Sequence, residues 1–172
     1  LGRFGICPIG IYSDNSSFIF AIGNINWFCA FLSVFAPLGV GIATTRKPFS
    51  QQFFIASLYV LVTMVALLVQ GSDSGLLIII GTFLLLLFIG LRDRDAFRSF
   101  LIQLFLLGIA MSFVAALMWL FGKRYTYEEN LLIKICEMHT GPILMAAAFF
   151  MYSVSRLMQE INNNWKKSLY RK

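Results

Sequence analysis

The sequence predicts an all-α integral membrane protein with about five transmembrane helices, one domain over residues 1–172 and no soluble domain. Three observations lead to this prediction. Hydrophobic residues make up 59% of the chain and charged residues 13%, against about 45–50% and about 25% in soluble domains. The mean hydropathy is +0.78. The apolar residues also fall into five runs, each near the ~20 residues that a helix needs to cross a bilayer.

The predicted spans follow one another closely along the chain. They cover residues 27–43 (with a longer form that starts near residue 18), 53–70, 75–91, 99–121 and 142–158. The first ends before Pro48, because a residue that precedes proline disfavours the α region. The sequence Gly71-Ser-Asp-Ser-Gly75 consists of turn-forming residues, so it predicts a tight antiparallel hairpin between the second and third spans.

The remaining connections differ in length and charge. Residues 92–95 form a short charged loop, and residues 122–140 form the longest connection, with some helical character expected around 128–137. Gly141-Pro142 suits the start of the fifth helix, where proline is tolerated in the first turn. The tail from Glu160 is polar and basic.

The distribution of Lys and Arg predicts the orientation of the five spans. Ten of the 14 basic residues lie in the 1–2 loop, the 3–4 loop and the C-terminal tail, and four lie on the opposite side. Short loops on the cytoplasmic or matrix side carry the excess of basic residues. The C-terminus is therefore expected on that side and the N-terminus outside. Since the net charge of +6 resides in loops and tail, no nucleic-acid partner is expected.

No catalytic constellation is visible. The single histidine, His139, has a structural or interfacial interpretation, with a haem ligand or a proton relay as the alternative; a haem bundle usually needs two axial ligands. His139 follows Glu137 by two residues, a spacing that places side chains on different faces of a helix. Glu137 is either an interfacial carboxylate favoured by a helix N-terminus or a functional group at membrane depth.

The cysteines and the chain start add little chemistry. Cys7, Cys29 and Cys136 are far apart and odd in number, which predicts buried or unpaired thiols rather than a metal site. No metal ion or other cofactor is expected on this chain. No signal peptide is expected either, because the first long apolar run is not followed by a small-residue cleavage site.

Gly81 interrupts the most apolar run, in which thirteen of the sixteen residues 76–91 are Leu, Ile or Phe. One interpretation is a close helix contact, for which glycine is common in membranes. The other is a π-bulge or hinge, supported by the hydroxyl of Thr82, which can hydrogen-bond a carbonyl one turn back.

Several stretches resemble a known family. Phe31-Leu-Ser-Val and Gly39-Val-Gly-Ile-Ala-Thr-Thr-Arg-Lys-Pro48 are similar to the first helix of NADH–ubiquinone oxidoreductase chain 6, a membrane subunit of respiratory complex I. The helix from Pro48 to Gly71 and the apolar helix after Gly75 repeat the layout of that family. Tyr125-Thr-Tyr127, Leu131-Leu132, Glu137 and Thr140-Gly141 are similar in order to its later part. Gly81-Thr82-Phe83 lacks the tyrosine that the family usually carries at its π-bulge.

The resemblance implies a non-catalytic membrane-arm subunit in the mitochondrial inner membrane, with its C-terminus in the matrix. Other membrane subunits and lipids would be its partners, and FMN, Fe–S clusters and quinone would be held by other subunits. Gly81 and Thr82 would act as a hinge between quinone reduction and proton translocation, and Glu137 would be a proton-path candidate. Two alternatives stay open: a lineage-specific structural or assembly subunit of another energy-transducing complex, and a small stand-alone transporter.

Overall fold

The computed structural model describes residues 4, 18–19, 23–46, 50–124 and 131–169. Five of the described helices are long and apolar enough to cross a membrane, which confirms the predicted fold class and number of spans. A short helix, α5, lies between the fourth and fifth of them. The α-helices are α1 Ile25–Thr45, α2 Gln51–Gln70, α3 Asp73–Gly90, α4 Arg94–Phe121, α5 Leu131–Glu137 and α6 Thr140–Leu169.

Helix starts differ from the predicted bounds because polar side chains cap them. Before α1, strand β1 Phe18–Ile19 pairs with β2 Gly23–Asn24, so the longer form of the first span is wrong. The Asn24 side chain accepts the N–H of Asn26 at 2.9 Å, and α1 begins between them. Asp93 accepts the N–H groups of Asp95 and Ala96, each at 3.2 Å. As a result α4 includes Asp95, which the sequence had placed in a loop.

The predicted hairpin between the second and third spans is confirmed, and it is tighter than the sequence indicated. Gly71 adopts φ 63° and ψ 31°, the left-handed conformation that glycine tolerates best. Its N–H donates to the carbonyl of Leu68 at 3.1 Å. Helix α3 begins at Asp73, so Gly75 already lies inside the helix, where an added Cβ would stand 3.3 Å from the carbonyl oxygen of Leu67.

Contacts between helix ends define two ends of the bundle. Arg46 Nη1 donates to Gln52 Oε1 at 3.0 Å, where α1 ends and α2 begins. At the opposite end, Ser72 Oγ donates to Asn26 Oδ1 at 3.5 Å. We call the first of these the basic end, because Arg46 lies there, together with Arg92 in the α3–α4 turn and Arg94 at the start of α4. The orientation of this end relative to a membrane stays a prediction.

Helix α4 forms the centre of the bundle and contacts each of the other five helices. The largest fully buried side chains come from α1, α2, α4 and α5, and they include Val40, Met64, Leu101, Val114 and Ile133. Helix α6 is the most peripheral, since only 11% of its most apolar stretch is buried, against 33–44% for the other spans. Most of the surface of α6 therefore faces away from this chain.

Some sequence expectations concern residues outside those that the structure describes. They are the corner at Pro48, the thiol of Cys7, the charge of Arg3 and the part of the resemblance carried by Tyr125-Thr-Tyr127. The thiols of Cys29 and Cys136 are buried, as predicted. Helical structure in the longest connection is confirmed for Leu131–Glu137.

Candidate functional site

The expected π-bulge in the third span is absent. Helix α3 is α-helical from Asp73 to Gly90, and the hydroxyl of Thr82 donates to the carbonyl of Ile78 at 2.7 Å, one regular turn back. The prediction of a π-bulge at Gly81 is therefore wrong. The reason is that Thr82 adds its bond to an intact helical ladder, and nothing inserts into that ladder.

The rival interpretation, that Gly81 lies at a close helix contact, finds no support among the described residues. Gly81 lies on the exposed face of α3, and an added Cβ would meet no neighbouring atom within 4 Å. Thr82 is 6% exposed and faces the bundle. Neither residue lines the cavity at which Glu137 lies, so the three predicted site residues do not form one site.

The close helix contact occurs instead between α4 and α6. A Cβ on Gly108 would stand 2.8 Å from the carbonyl oxygen of Gly141, and a Cβ on Gly141 would stand 2.7 Å from the carbonyl oxygen of Gly108. Only residues without side chains allow backbones this close, and membrane helices use them for that purpose. Ser112, one turn after Gly108, donates its hydroxyl to the Gly108 carbonyl at 2.8 Å.

This crossing fixes the depth at which α6 begins. Gly108 lies nine residues from Ser99 and thirteen from Phe121, or about 14 Å and about 20 Å along α4. Gly141 is the second residue of α6. Helix α6 therefore starts about halfway along the apolar part of α4, and the residues just before it lie between mid-span and the end of α4.

Helix α5 occupies the other half of this interrupted span. Leu132, Ile133 and Cys136 are buried, in contact with α2, α3 and α4. Helix α5 ends where His139 adopts φ 61°, a left-handed conformation in which histidine is enriched among non-glycine residues. The Met138 N–H donates to the Lys134 carbonyl at 3.0 Å, and the Thr140 hydroxyl donates to the carbonyl of Ile135. We call residues 138–139 the break.

A cavity of about 460 Å³ opens beside the break. Ala116 and the buried Cys136 contribute to its wall. The remaining lining residues we name the break surface: Ser112, Ala115, Trp119, Glu137, His139 and Pro142. The sequence argument that Glu137 and His139 lie on different faces is wrong, because it assumed one continuous helix. The left-handed residue between α5 and α6 turns both side chains toward the same cavity.

Glu137 and His139 are exposed on the isolated chain. Among the residues that the structure describes, the ion pair found is Arg98 with Asp95, and neither Glu137 nor His139 makes a side-chain hydrogen bond. Lys134 lies one turn before Glu137 on α5 but does not pair with it. The break surface therefore presents an unpaired carboxylate and an imidazole at the level of the apolar half of α4.

At the basic end, the buried Arg98 has hydrogen-bond partners within the described part of the chain, unlike Glu137 at the break. Arg98 is 8% exposed, and its guanidinium donates to the carbonyl and the hydroxyl of Ser155 at 2.9 Å and 3.3 Å. It also pairs with Asp95 at 3.2 Å. These bonds connect α4 to α6. Gln103, further along α4, is fully buried, and neither of its amide atoms has a partner within the described chain.

The break surface has the chemistry of a charge-pairing and hydrogen-bonding site. A carboxylate accepts hydrogen bonds and an imidazole can donate and accept them, and polar groups at membrane depth usually mark function. The described residues contain no group of three or more His, Cys, Asp or Glu side chains that would hold a metal ion.

Sequence reasoning missed Ser112, Trp119 and the Gly108–Gly141 crossing. The signal was present, since Gly108 and Ser112 are small residues four apart in an apolar helix, the spacing of close membrane contacts. The sequence did not indicate which helix contacts Gly108 and Ser112, because Gly141 was interpreted only as part of a helix start. No protein-family model, curated protein or solved structure matches the chain.

Proposed function

We propose that this chain is a non-catalytic structural subunit of a larger membrane complex, namely the membrane arm of respiratory complex I. In this proposal it lies in the mitochondrial inner membrane with its C-terminus on the matrix side. FMN, the Fe–S clusters and quinone belong to other subunits. The observation that carries the proposal is the unpaired Glu137 on the outer face of the bundle, at the level of apolar helix.

The Glu137 carboxylate is more stable beside a neighbouring protein than in contact with lipid alone. A charged residue at the centre of a membrane helix costs about 2.5–3.5 kcal/mol on insertion scales. Glu137 is exposed, and so is most of α6. A neighbouring protein that covers this face removes the carboxylate from lipid and buries the apolar surface of α6 at the same time.

Three features support complex I in particular. The residues around Phe31 and Gly39 resemble the first helix of its chain 6. The five spans and the hairpin at Gly71 agree with the layout that the resemblance implies. The arginines gathered at the basic end agree with a matrix-side C-terminus by the positive-inside rule. The hinge role of Gly81 and Thr82 forms no part of the proposal, since α3 is regular.

A second candidate is a lineage-specific structural or assembly subunit of a different energy-transducing complex. The regular α3 favours it, because the conformational coupling implied by the resemblance was tied to an irregular third helix. The break surface needs a neighbour in either case, so it does not separate the two candidates.

Native gel electrophoresis of solubilised membranes tests the proposal. The chain is expected to co-migrate with NADH dehydrogenase activity, and mass spectrometry of that band is expected to find complex I subunits. Co-migration with a different respiratory complex would support the second candidate. A homo-oligomer without other subunits would contradict both and point to a stand-alone transporter.

A further inference from the structure

The break surface has two features that together make contact with lipid alone unfavourable. It exposes the carboxylate of Glu137, and it lies inside the apolar region. The cavity beside it extends from Ser112 to Trp119 on α4, or about 15 Å to about 5 Å from Gly122 at the end of that helix. Basic residues, beginning with Lys123, follow Gly122 directly, so this end of α4 marks the polar boundary.

The described part of the chain gives the Glu137 carboxylate no way to avoid this environment. Its side chain has only two methylene groups, whereas the long stems of Lys and Arg allow their charges to reach a distant interface. The described residues offer it no ion pair. A charge in this position is expected to be paired by a group from outside the chain.

The shape of the surface fits a helix. Ser112 and Ala115 are small side chains on the α4 part of this surface, and small residues let a second backbone approach closely in membranes. Trp119 is 85% exposed and forms one wall.

We propose that the break surface docks a transmembrane helix of a partner protein that carries a lysine or arginine at the level of Glu137. Charge complementarity identifies the occupant, because a carboxylate without an ion-pair partner among the described residues is stabilised by a cation. A basic residue in a partner helix needs a carboxylate in turn. The inference rests on the proposed function only for the existence of a partner, not for its identity.

Photo-crosslinking in native membranes tests the docking directly. A photoreactive phenylalanine analogue replaces Trp119 in one variant and Trp27 in a control. Trp27 is also highly exposed, at 71%, and lies at the start of α1. The Trp119 position is expected to crosslink to one protein, through a membrane segment that contains Lys or Arg. The Trp27 position is expected to give a different set of adducts.

Substitution of the carboxylate supplies the second arm. Glu137→Gln is expected to lower both the Trp119 crosslink and the chain's share in its native complex by roughly tenfold or more, since a desolvated charge loses its partner. Glu137→Asp is expected to retain most of both signals. Glu160→Gln is the matched control, because Glu160 is an exposed acid on α6 beyond the basic-end contact at Ser155. The unfolding midpoint of each purified chain reports whether it is folded.

Several results would overturn the docking proposal. They are a Trp119 crosslink to lipid only, to a second copy of this chain, or to a helix without a basic residue, and an unchanged crosslink in folded Glu137→Gln. If Glu137→Gln does not fold, Glu137→Lys combined with an acidic residue in place of the partner's cation must restore assembly, and failure to do so also overturns it. Co-migration with NADH dehydrogenase but no helix crosslink refutes the docking alone. A basic helix from an unrelated complex refutes only the complex I proposal.

Discussion

Gly108→Ala is the substitution for which the structure makes the sharpest stability prediction. The new methyl group would stand 2.6 Å from Met145 Cγ, 2.8 Å from the Gly141 carbonyl oxygen and 3.1 Å from the Met145 nitrogen. The side-chain atom can move away, but the two backbone atoms cannot move unless α4 and α6 separate. Overpacking of this kind costs about 1–3 kcal/mol, and the backbone contacts place the expected loss in the upper part of that range.

Gly81→Ala is the matched control, since it adds the same methyl group to another apolar span where no neighbour lies within 4 Å. It is expected to leave stability unchanged or to raise it by up to about 1 kcal/mol, because alanine is the better helix former. Denaturant unfolding of the purified full chains in detergent, followed by circular dichroism, gives both values. Equal effects of the two substitutions would refute the α4–α6 crossing at Gly108, and with it the depth assigned to the break.

Three further predictions concern buried groups. Arg98→Met is expected to destabilise the chain by about 1.5–3 kcal/mol, since hydrogen bonds from a charged donor to Ser155 are lost. Ser155→Ala keeps the carbonyl acceptor and is expected to cost less. Similar losses for the two variants in unfolding titrations would count against the hydrogen bond from Arg98 to the Ser155 carbonyl. Gln103→Met is expected to raise stability by about 1–3 kcal/mol, because it removes a buried amide without a partner in the described chain; a loss in the same assay would show that the amide is bonded in the membrane. Cys29 and Cys136 are both fully buried, so mass spectrometry is expected to find maleimide on them only after unfolding, while modification of the folded chain would contradict their burial.

The sequence was sufficient for those parts of the fold that depend on local patterns. Apolar runs of span length predicted five membrane helices, and the glycines at 71 and 75 predicted the hairpin. These signals work because a span must be apolar over a fixed length and because a left-handed turn residue favours glycine. Helix starts were less accurate, since Asn24 and Asp93 act as caps through single side-chain hydrogen bonds.

The candidate site was only half predictable. Glu137 was recognised as unusual from its charge, but its depth depends on where α6 crosses α4, a contact between residues 33 positions apart. The relation of Glu137 to His139 was misjudged, because a left-handed histidine interrupts the helix and no propensity rule placed the break there. The π-bulge predicted at Gly81 was wrong, because a glycine permits irregular helix geometry but does not require it.

The depth of Met138 in the bilayer shows whether the break lies inside the membrane. A nitroxide label on a cysteine at Met138, in a Cys7→Ser chain reconstituted into lipid nanodiscs, reports its accessibility to oxygen and to a water-soluble nickel complex. Leu84, in the inner part of α3, and Leu91, just after that helix, supply exposed reference positions. The label at Met138 is expected to resemble the one at Leu84, with high accessibility to oxygen and low accessibility to nickel. A Met138 label that resembles the one at Leu91 would place the break at the membrane surface and refute its position inside the bilayer.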